Sequence, residues 1–148
     1  MIGMYMQPDP PKPEITYGEF PFRIEYELQG ERFVIEDTVI CEFKGIGTSE
    51  ASKRRIWKAH LASGKEGCVI NLKVFDETKR ITCNAGAADY YMGDSFTSPD
   101  WRYSEEATLS EGYGTPNYVL YAPPFWYDEY GFRFISWELS DPIVNTFK

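Results

Sequence analysis

The segment "FPFRIEYELQGERFVIEDTVICEF" constrains the fold more strongly than any other part of the chain. Apolar side chains at Phe22, Ile24, Tyr26 and Leu28 alternate with charged ones, which is the period of a strand with one buried face. A two-residue turn at Gln29-Gly30 returns the chain as a second, antiparallel strand. The segment therefore predicts a β-hairpin over about residues 20–43.

Charge and hydrophobicity independently select the same register for this hairpin. The register makes two apolar pairs and two ion pairs, Tyr26–Phe33, Ile24–Ile35, Arg23–Glu36 and Glu27–Arg32. Opposite charges directly across an antiparallel pair contribute about 0.2–1 kcal/mol each, and like charges oppose the pairing. Asp37 departs from the pattern, because it falls on the apolar face opposite Phe22. We expect its carboxylate to be hydrogen-bonded, to lie at the rim of the core or to be turned outward by a bulge, with a catalytic role as the alternative.

The stretch "CVINLKVFDETKRITCNAG" predicts a second hairpin over about residues 67–86. A four-residue loop at 76–79 is a common connection between such strands. This loop sets two apolar pairs, Val74–Ile81 and Leu72–Cys83.

Between the hairpins, "GTSEASKRRIWKAHLASG" carries signals for one helix near residues 50–62. Ser49 suits an N-cap, Glu50 a first turn and Gly64 a helix stop. Trp57, Ala59 and Leu61 also alternate, which leaves a strand near the end of the segment as the alternative. The sequence "KGIG" before it matches a glycine-rich anion loop incompletely, because the third glycine position is Glu50, so we expect a turn there.

The rest of the chain is predicted to be mostly strands and irregular structure. "NYVLYA" and "YGFRFISWEL" predict strands over about 117–122 and 131–139. The latter is apolar at both parities, which is typical of a central strand covered on both faces. "AADYYMGD" predicts a short helix closed by Gly93, and residues 94–116 a long irregular excursion. The fold class is thus α+β or mainly β, with antiparallel sheets built from hairpins.

Composition bounds the domain organisation and the partners. The length of 148 residues predicts one globular domain over 15–148, preceded by an extended Pro-rich tail over 1–14. The net charge of −8 makes nucleic acid an improbable partner, because binding it needs cations that displace counterions from phosphates. No apolar run is long enough to span a membrane, and no secretory signal is recognisable, so we expect a cytoplasmic protein that does not bind membranes.

The stretch "APPFWYDEYGFRF" is rich in aromatic side chains, which either pack in the core or form a surface that binds a ligand. Phe132 and Phe134 are assigned to the core by their strand position. Tyrosine and tryptophan are enriched at interfaces and also stack on ligands. Five of these residues could therefore either pack in the core or form a ligand- or partner-binding face: Trp126, Tyr127 and Tyr130, with Trp101 and Tyr103 from the excursion.

A second candidate contact is the basic run Lys53, Arg54, Arg55 and Lys58, which stands out in an acidic chain. It is interpreted as a solvated face or as a contact for an anionic partner.

Residue types for catalysis or metal binding are sparse. His60 is the one histidine, and no G-x-S-x-G motif accompanies it, so neither a nucleophile with its base nor a zinc ligand set is recognisable. Three cysteines without C-x-x-C spacing predict small buried hydrophobes: Cys41, Cys68 and Cys83. Adjacent acids are carboxylate candidates for a hydrolase, namely Glu36-Asp37, Glu105-Glu106 and Asp128-Glu129. No catalytic residue, metal site or cofactor is predicted.

The stretches "ITYGEFPFRIEYELQGERFVIEDTVICEF" and "ISWELSDPIVNTF" resemble small uncharacterised proteins of Gram-positive bacteria, some carried on mobile elements. The resemblance covers most of the chain. It implies a location in the bacterial cytosol and points to no particular activity. Our first functional hypothesis is a non-enzymatic protein-interaction domain, such as an immunity-type or regulatory inhibitor that binds another protein. The alternatives are a glycan- or nucleotide-binding module that uses the aromatic loop, and a carboxylate-based hydrolase.

Overall fold

A computed structural model describes residues 8–48, 53–64, 67–94, 107–112, 114–116, 118–121 and 125–148. The described elements, in chain order, are β1 (Tyr17–Leu28), β2 (Glu31–Thr48), β3 (Lys53–Leu61), β4 (Val69–Asp76), β5 (Lys79–Asn84), α1 (Ala88–Tyr91), β6 (Thr108–Glu111), β7 (Val119–Tyr121), α2 (Phe125–Tyr130) and β8 (Phe132–Glu138). These strands form two four-stranded antiparallel sheets, in the orders β3-β2-β1-β8 and β4-β5-β6-β7. The predicted hairpin-based, mainly β class is confirmed.

The β1–β2 hairpin forms in the predicted register. Gln29 and Gly30 both have positive φ, +52° and +83°, as a two-residue turn with the twist of its flanking strands requires. Ile24 pairs with Ile35. Of the two predicted ion pairs, Arg23–Glu36 is present, with Arg23 Nε 3.2 Å from Glu36 Oε1. The Glu27–Arg32 ion pair is wrong, because Arg32 pairs with Glu25 and Glu27 with Arg133, although Glu27 and Arg32 lie opposite each other in the register. The two sequence patterns therefore identified one real arrangement.

The helix predicted near residues 50–62 is wrong, because Lys53–Leu61 is a strand. Its apolar residues meet the buried face of β2, with Trp57 opposite Phe43 and Leu61 opposite Val39. The period of two thus prevails over the capping signals, since burial against β2 outweighs local helix propensity. Gly64, the proposed helix stop, instead has φ +103° in the turn after β3. The proposed starts of that helix, Ser49 and Glu50, lie outside the described residues.

The "GIG" sequence lies inside β2 rather than in a turn before a helix. Gly45 has φ +110° where the β2–β3 register shifts, which is typical of a bulge. Gly47 lies against Ile56, since a Cβ at this glycine would come within 2.8 Å of the isoleucine side chain. No helix follows this segment in residues 53–64, so the anion site at a helix N-terminus is not formed there.

β8 lies at the end of its sheet, so the prediction of a central strand is wrong. The register between β1 and β8 shifts at Ile135, which is the extra residue of a bulge. Phe134 lies opposite Tyr26, and Trp137 lies opposite Ile24. The bulge therefore places apolar residues of both parities on the same, core-facing side, which explains a pattern that alternation alone assigns to two buried faces.

The second hairpin is confirmed as an element, but its predicted register is wrong. Ile81 pairs with Lys73 rather than Val74, and Cys83 pairs with Ile70 rather than Leu72. Two register shifts, between Asn71/Lys73 and Val74/Asp76, cause the difference. Asp76 and Lys79 pair with each other, so the connecting turn is shorter than predicted.

Three other predictions concern the C-terminal half. The short helix closed by Gly93 is confirmed as α1, and the strand over 117–122 as β7. The irregular excursion over 94–116 is wrong in part, because β6 forms at Thr108–Glu111 and joins β5 to β7. Residues 95–106 of that segment lie outside the described chain.

The core lies between the apolar faces of the two sheets. Ile24 and Val39 of the first sheet and Ile81 of the second have no exposed surface. The Tyr26 hydroxyl donates a hydrogen bond to the carbonyl of Leu72, which joins the sheets through the core. Near the termini, Lys12 and Lys148 exchange two backbone hydrogen bonds of 2.9 Å. The described elements therefore share one hydrophobic interior and form a single small domain.

Candidate functional site

A cleft of about 570 Å³ lies between β3 and the segment that joins β5 to α1. We call it the β3 cleft. Residues 53–57 form one wall, and Asn84 to Asp89 contribute the other. Five consecutive strand residues line the same wall although their side chains alternate in direction, so the backbone edge of β3 itself faces the cleft.

The hydrogen-bond pattern shows which backbone groups of β3 point into the cleft. The Ala62 N–H donates to Thr38 O at 2.8 Å, so the even-numbered positions bond to β2. The Ala59 carbonyl points the other way, where it accepts the Gly67 N–H at 3.1 Å. By the same alternation, the N–H and C=O groups of Arg55 and Trp57 point away from β2 and into the cleft.

A buried ion pair holds the wall in place. The Asp94 carboxylate accepts hydrogen bonds from Arg55 Nε at 2.8 Å, Arg55 Nη2 at 2.6 Å and Trp57 Nε1 at 2.7 Å. The Arg55 and Asp94 side chains are only 13% and 7% exposed. Hydrogen bonding to Asp94 raises the pKa of Arg55, and the guanidinium also lies 4.2 Å from the centre of the Phe147 ring. These contacts fix two neighbouring core-side residues of β3 to the end of α1.

The four predicted anion-contact residues are therefore divided among different roles. Arg55 is engaged with Asp94, and Lys53 forms an ion pair of 2.9 Å with Asp9. Arg54 and Lys58 are exposed on the outer face of the sheet. Within the described residues neither of these two forms an ion pair.

The opposite wall of the cleft combines small and apolar groups with the polar side chain of Asn84 and the exposed carboxylate of Asp89. Ala87 and Ala88 come from the start of α1, and Cys68 from the residue before β4. Burial raises the pKa of the Cys68 thiol to about 11, so this group is neutral near pH 7. The same cause raises the pKa of Cys41 and of Cys83 to about 12. All three cysteines are free and buried, as predicted from the sequence.

The predicted aromatic candidates lie in and next to α2, which contacts β8 at the opposite end of the first sheet from β3, or they lie outside the described chain. Phe125–Tyr130 is a short helix, α2, rather than the expected loop. Trp126 is 4% exposed, packs with its ring centre 4.7 Å from that of Tyr127, and donates Nε1–H to Tyr121 O at 2.8 Å. Tyr127 is partly buried, and its hydroxyl accepts the Ala107 N–H at 2.8 Å. These two side chains therefore have packing roles in the structure.

Tyr130 lies beside a charged side chain. The Lys79 ammonium lies 4.9 Å from the centre of the Tyr130 ring, and the Phe75 ring centre lies 5.5 Å away. Lys79 also pairs with Glu111 at 3.6 Å. Trp101 and Tyr103 lie outside the described residues. The structure thus gathers Trp126, Tyr127 and Tyr130 but separates them from the basic run on β3.

A second depression, of about 490 Å³, lies where β1, β2 and the end of β8 meet. Glu36, Asp37 and Glu138 line it beside Arg23. Asp37 lies opposite Phe22 in the sheet, beyond the end of β3, and its Oδ1 accepts the Thr38 N–H at 2.8 Å. The expectation that this carboxylate is hydrogen-bonded is therefore confirmed.

Neither a metal centre nor a spanning helix is found among the described residues. No group of three or more His, Cys, Asp or Glu side chains there is arranged to hold a metal ion. None of the described helices is long and apolar enough to cross a bilayer. His60 is partly buried on β3, opposite Ile40.

Sequence reasoning missed the β3 cleft and the role of Asp94. Both depend on β3 being a strand, and the alternation of Trp57, Ala59 and Leu61 was the signal that indicated it. Comparison with known proteins adds no further assignment: no family model, no curated protein and no solved structure is significantly similar to this chain.

Proposed function

We propose that this chain is a non-enzymatic protein-interaction domain, of the immunity or regulatory-inhibitor type, and that its partner docks at the β3 cleft. The observation that carries the proposal is the backbone edge of β3 lining an open cleft. Edges with unsatisfied N–H and C=O groups are the surfaces to which other chains add strands.

The composition of the wall supports docking by a protein segment. Trp57 combines an apolar ring with a fixed orientation, since Asp94 holds its Nε1. Tryptophan and arginine are enriched among the residues that dominate interface energetics. A wall that is already ordered loses little conformational freedom when a partner binds, which favours affinity.

A small ligand in the same cleft is the second candidate, because the volume of about 570 Å³ lies in the range that small-molecule sites occupy. A glycan or nucleotide would stack on an aromatic ring of the wall and contact its polar groups. The hydrolase hypothesis would place its acids in the depression beside Arg23, where Glu36 and Glu138 lie. These alternatives use different surfaces or different ligands and are therefore separable.

Site-specific photo-crosslinking tests the proposal. We would place a photoreactive phenylalanine analogue at Arg54, beside the cleft, and at Leu120, which is exposed on the last strand of the other sheet. Expressed in a Gram-positive host, the chain is expected to give a discrete protein adduct from position 54 and none from position 120. An adduct from position 120 alone, or equal adducts from both, would move the partner away from the cleft.

Thermal stability in the presence of nucleotides and oligosaccharides separates the second candidate. A stabilisation of several degrees that is lost in Trp57→Phe would favour a small ligand, because binding to the folded state raises the melting temperature.

A further inference from the structure

We infer that the partner supplies an extended, acidic segment that adds to β3 as a fifth strand, with carboxylates opposite Arg54 and Lys58. This inference rests on the proposed function and specifies the chemistry of its partner.

The backbone of β3 offers a short, defined docking edge. The N–H and C=O groups of Arg55 and Trp57 point into the cleft, and within the described residues no hydrogen bond to these four groups is formed. Ala59 ends the available edge, because its carbonyl already accepts the Gly67 N–H. Pro10 lies at the other end, near Lys53. A segment of about five residues, about 17 Å long, therefore fits opposite positions 54–58.

The side chains next to this edge determine which charge the segment carries. Arg54 faces Gly47 across the sheet, so no β2 side chain lies opposite its guanidinium. Lys58 faces Glu42, but the Glu42 carboxylate is paired with Lys44 at 2.7 Å. Both cations are exposed on the same face, two residues on either side of Ile56. An added strand with carboxylates four positions apart would meet both.

The chain itself illustrates this preference at the start of β3. Asp9, from the N-terminal segment, places its carboxylate 2.9 Å from Lys53 Nζ. A second copy of the chain is disfavoured as the occupant, because two antiparallel β3 strands bring like charges together. Basic residues on an edge strand oppose self-pairing and still accept an acidic strand.

The core-facing side of the added segment must be small and uncharged, because the exposed carboxylate of Asp89 also lines the opposite wall. Its residues opposite Arg55 and Trp57 would face Ala87 and Ala88 across the cleft. The pattern that fits is therefore Glu-Ala-Val-Ala-Glu, in which valine faces Ile56 and the two alanines exchange hydrogen bonds with Arg55 and Trp57.

The test uses two capped heptapeptides, Thr-Glu-Ala-Val-Ala-Glu-Thr and its counterpart with lysine in place of both glutamates. Binding to the full chain is measured by NMR titration, and hydrogen exchange is followed at the backbone amides of Arg55 and Trp57. We expect the acidic peptide to bind about tenfold tighter than the basic one and to slow exchange at both amides, since two cross-strand charge pairs change sign. The double variant Arg54→Glu with Lys58→Glu is expected to invert the preference.

Equal binding of the two peptides, protection at β7 instead of β3, or unchanged binding after N-methylation of both alanines would overturn the inference. A crosslinked partner at position 54 together with no binding of either peptide would leave the proposed function standing and reject the acidic strand. Binding of the acidic peptide alone, lost on N-methylation, would support both the strand addition and its charge.

Discussion

At the scale of single residues, Asp94 organises the candidate site. Its three hydrogen bonds reach Arg55 and Trp57, which are 39 and 37 residues away in the sequence. Sequence reasoning recognised the basic run but not its buried partner, because nothing local to Asp94 marks it as an acceptor for residues so distant. The Arg23–Glu36 pair was predictable because a short turn sets the separation of its partners.

Replacing Asp94 tests this role. We expect Asp94→Ala to lower the free energy of unfolding by about 3 kcal/mol, because it leaves a largely buried guanidinium without its counter-charge. Urea unfolding measures the change, with Asp141→Ala as the control, since this aspartate is exposed. The control is expected to stay within about 0.5 kcal/mol of the wild type. Equal stability of the two variants would mean that Asp94 does not hold the wall.

At the scale of elements, alternation predicted well wherever a strand is regular. The β1–β2 hairpin was predictable in register, because its turn and its two faces agree. The failures occur at bulges and at competing signals. Register shifts in the β4–β5 hairpin and in β8 move side chains from one face of the sheet to the other. No single residue in these segments indicates from the sequence that a shift occurs there. β3 was missed because capping residues flank a strand that tertiary pairing stabilises.

The backbone conformation of the β1–β2 turn can be tested by substitution. Gly30 has φ +83°, and a Cβ added there meets no atom within 4 Å, so any cost of Gly30→Ala is conformational. We expect a loss of about 1–2 kcal/mol, the cost of the left-handed region for a residue with a side chain. In Gln29→Gly, glycine removes the steric cost of φ +52° but also makes the unfolded chain more flexible. Because the two effects oppose each other, we expect little net change in the free energy of unfolding. Thermal unfolding of both variants provides the measurement, and a neutral Gly30→Ala would contradict the turn.

At the scale of the whole molecule, the buried apolar face predicted for the β1–β2 hairpin is confirmed, and it shares one hydrophobic cluster with the second hairpin. The order of strands and the end position of β8 were not predictable. The hydrophobic pattern of a strand shows which of its faces is buried but not which distant strand it pairs with. The β3 cleft is a consequence of that order, since it forms where the edge of one sheet lies beside the other sheet.

A shared core implies that the two sheets unfold together. Ile81 belongs to the second sheet and has no exposed surface. We expect Ile81→Ala to cost about 2–5 kcal/mol and to reduce hydrogen-exchange protection in β1 and β5 by the same free energy. Loss of protection confined to β5 would show that the sheets are independent units.

If β3 is a strand with one edge open to the cleft, native-state hydrogen exchange of its amides must reflect that edge. We expect an alternating pattern in the free protein, with slow exchange at Arg54, Ile56 and Lys58, which bond to β2, and fast exchange at Arg55 and Trp57. Uniformly slow exchange from Arg54 to Lys58 would contradict it, because the edge would then be closed or the segment helical.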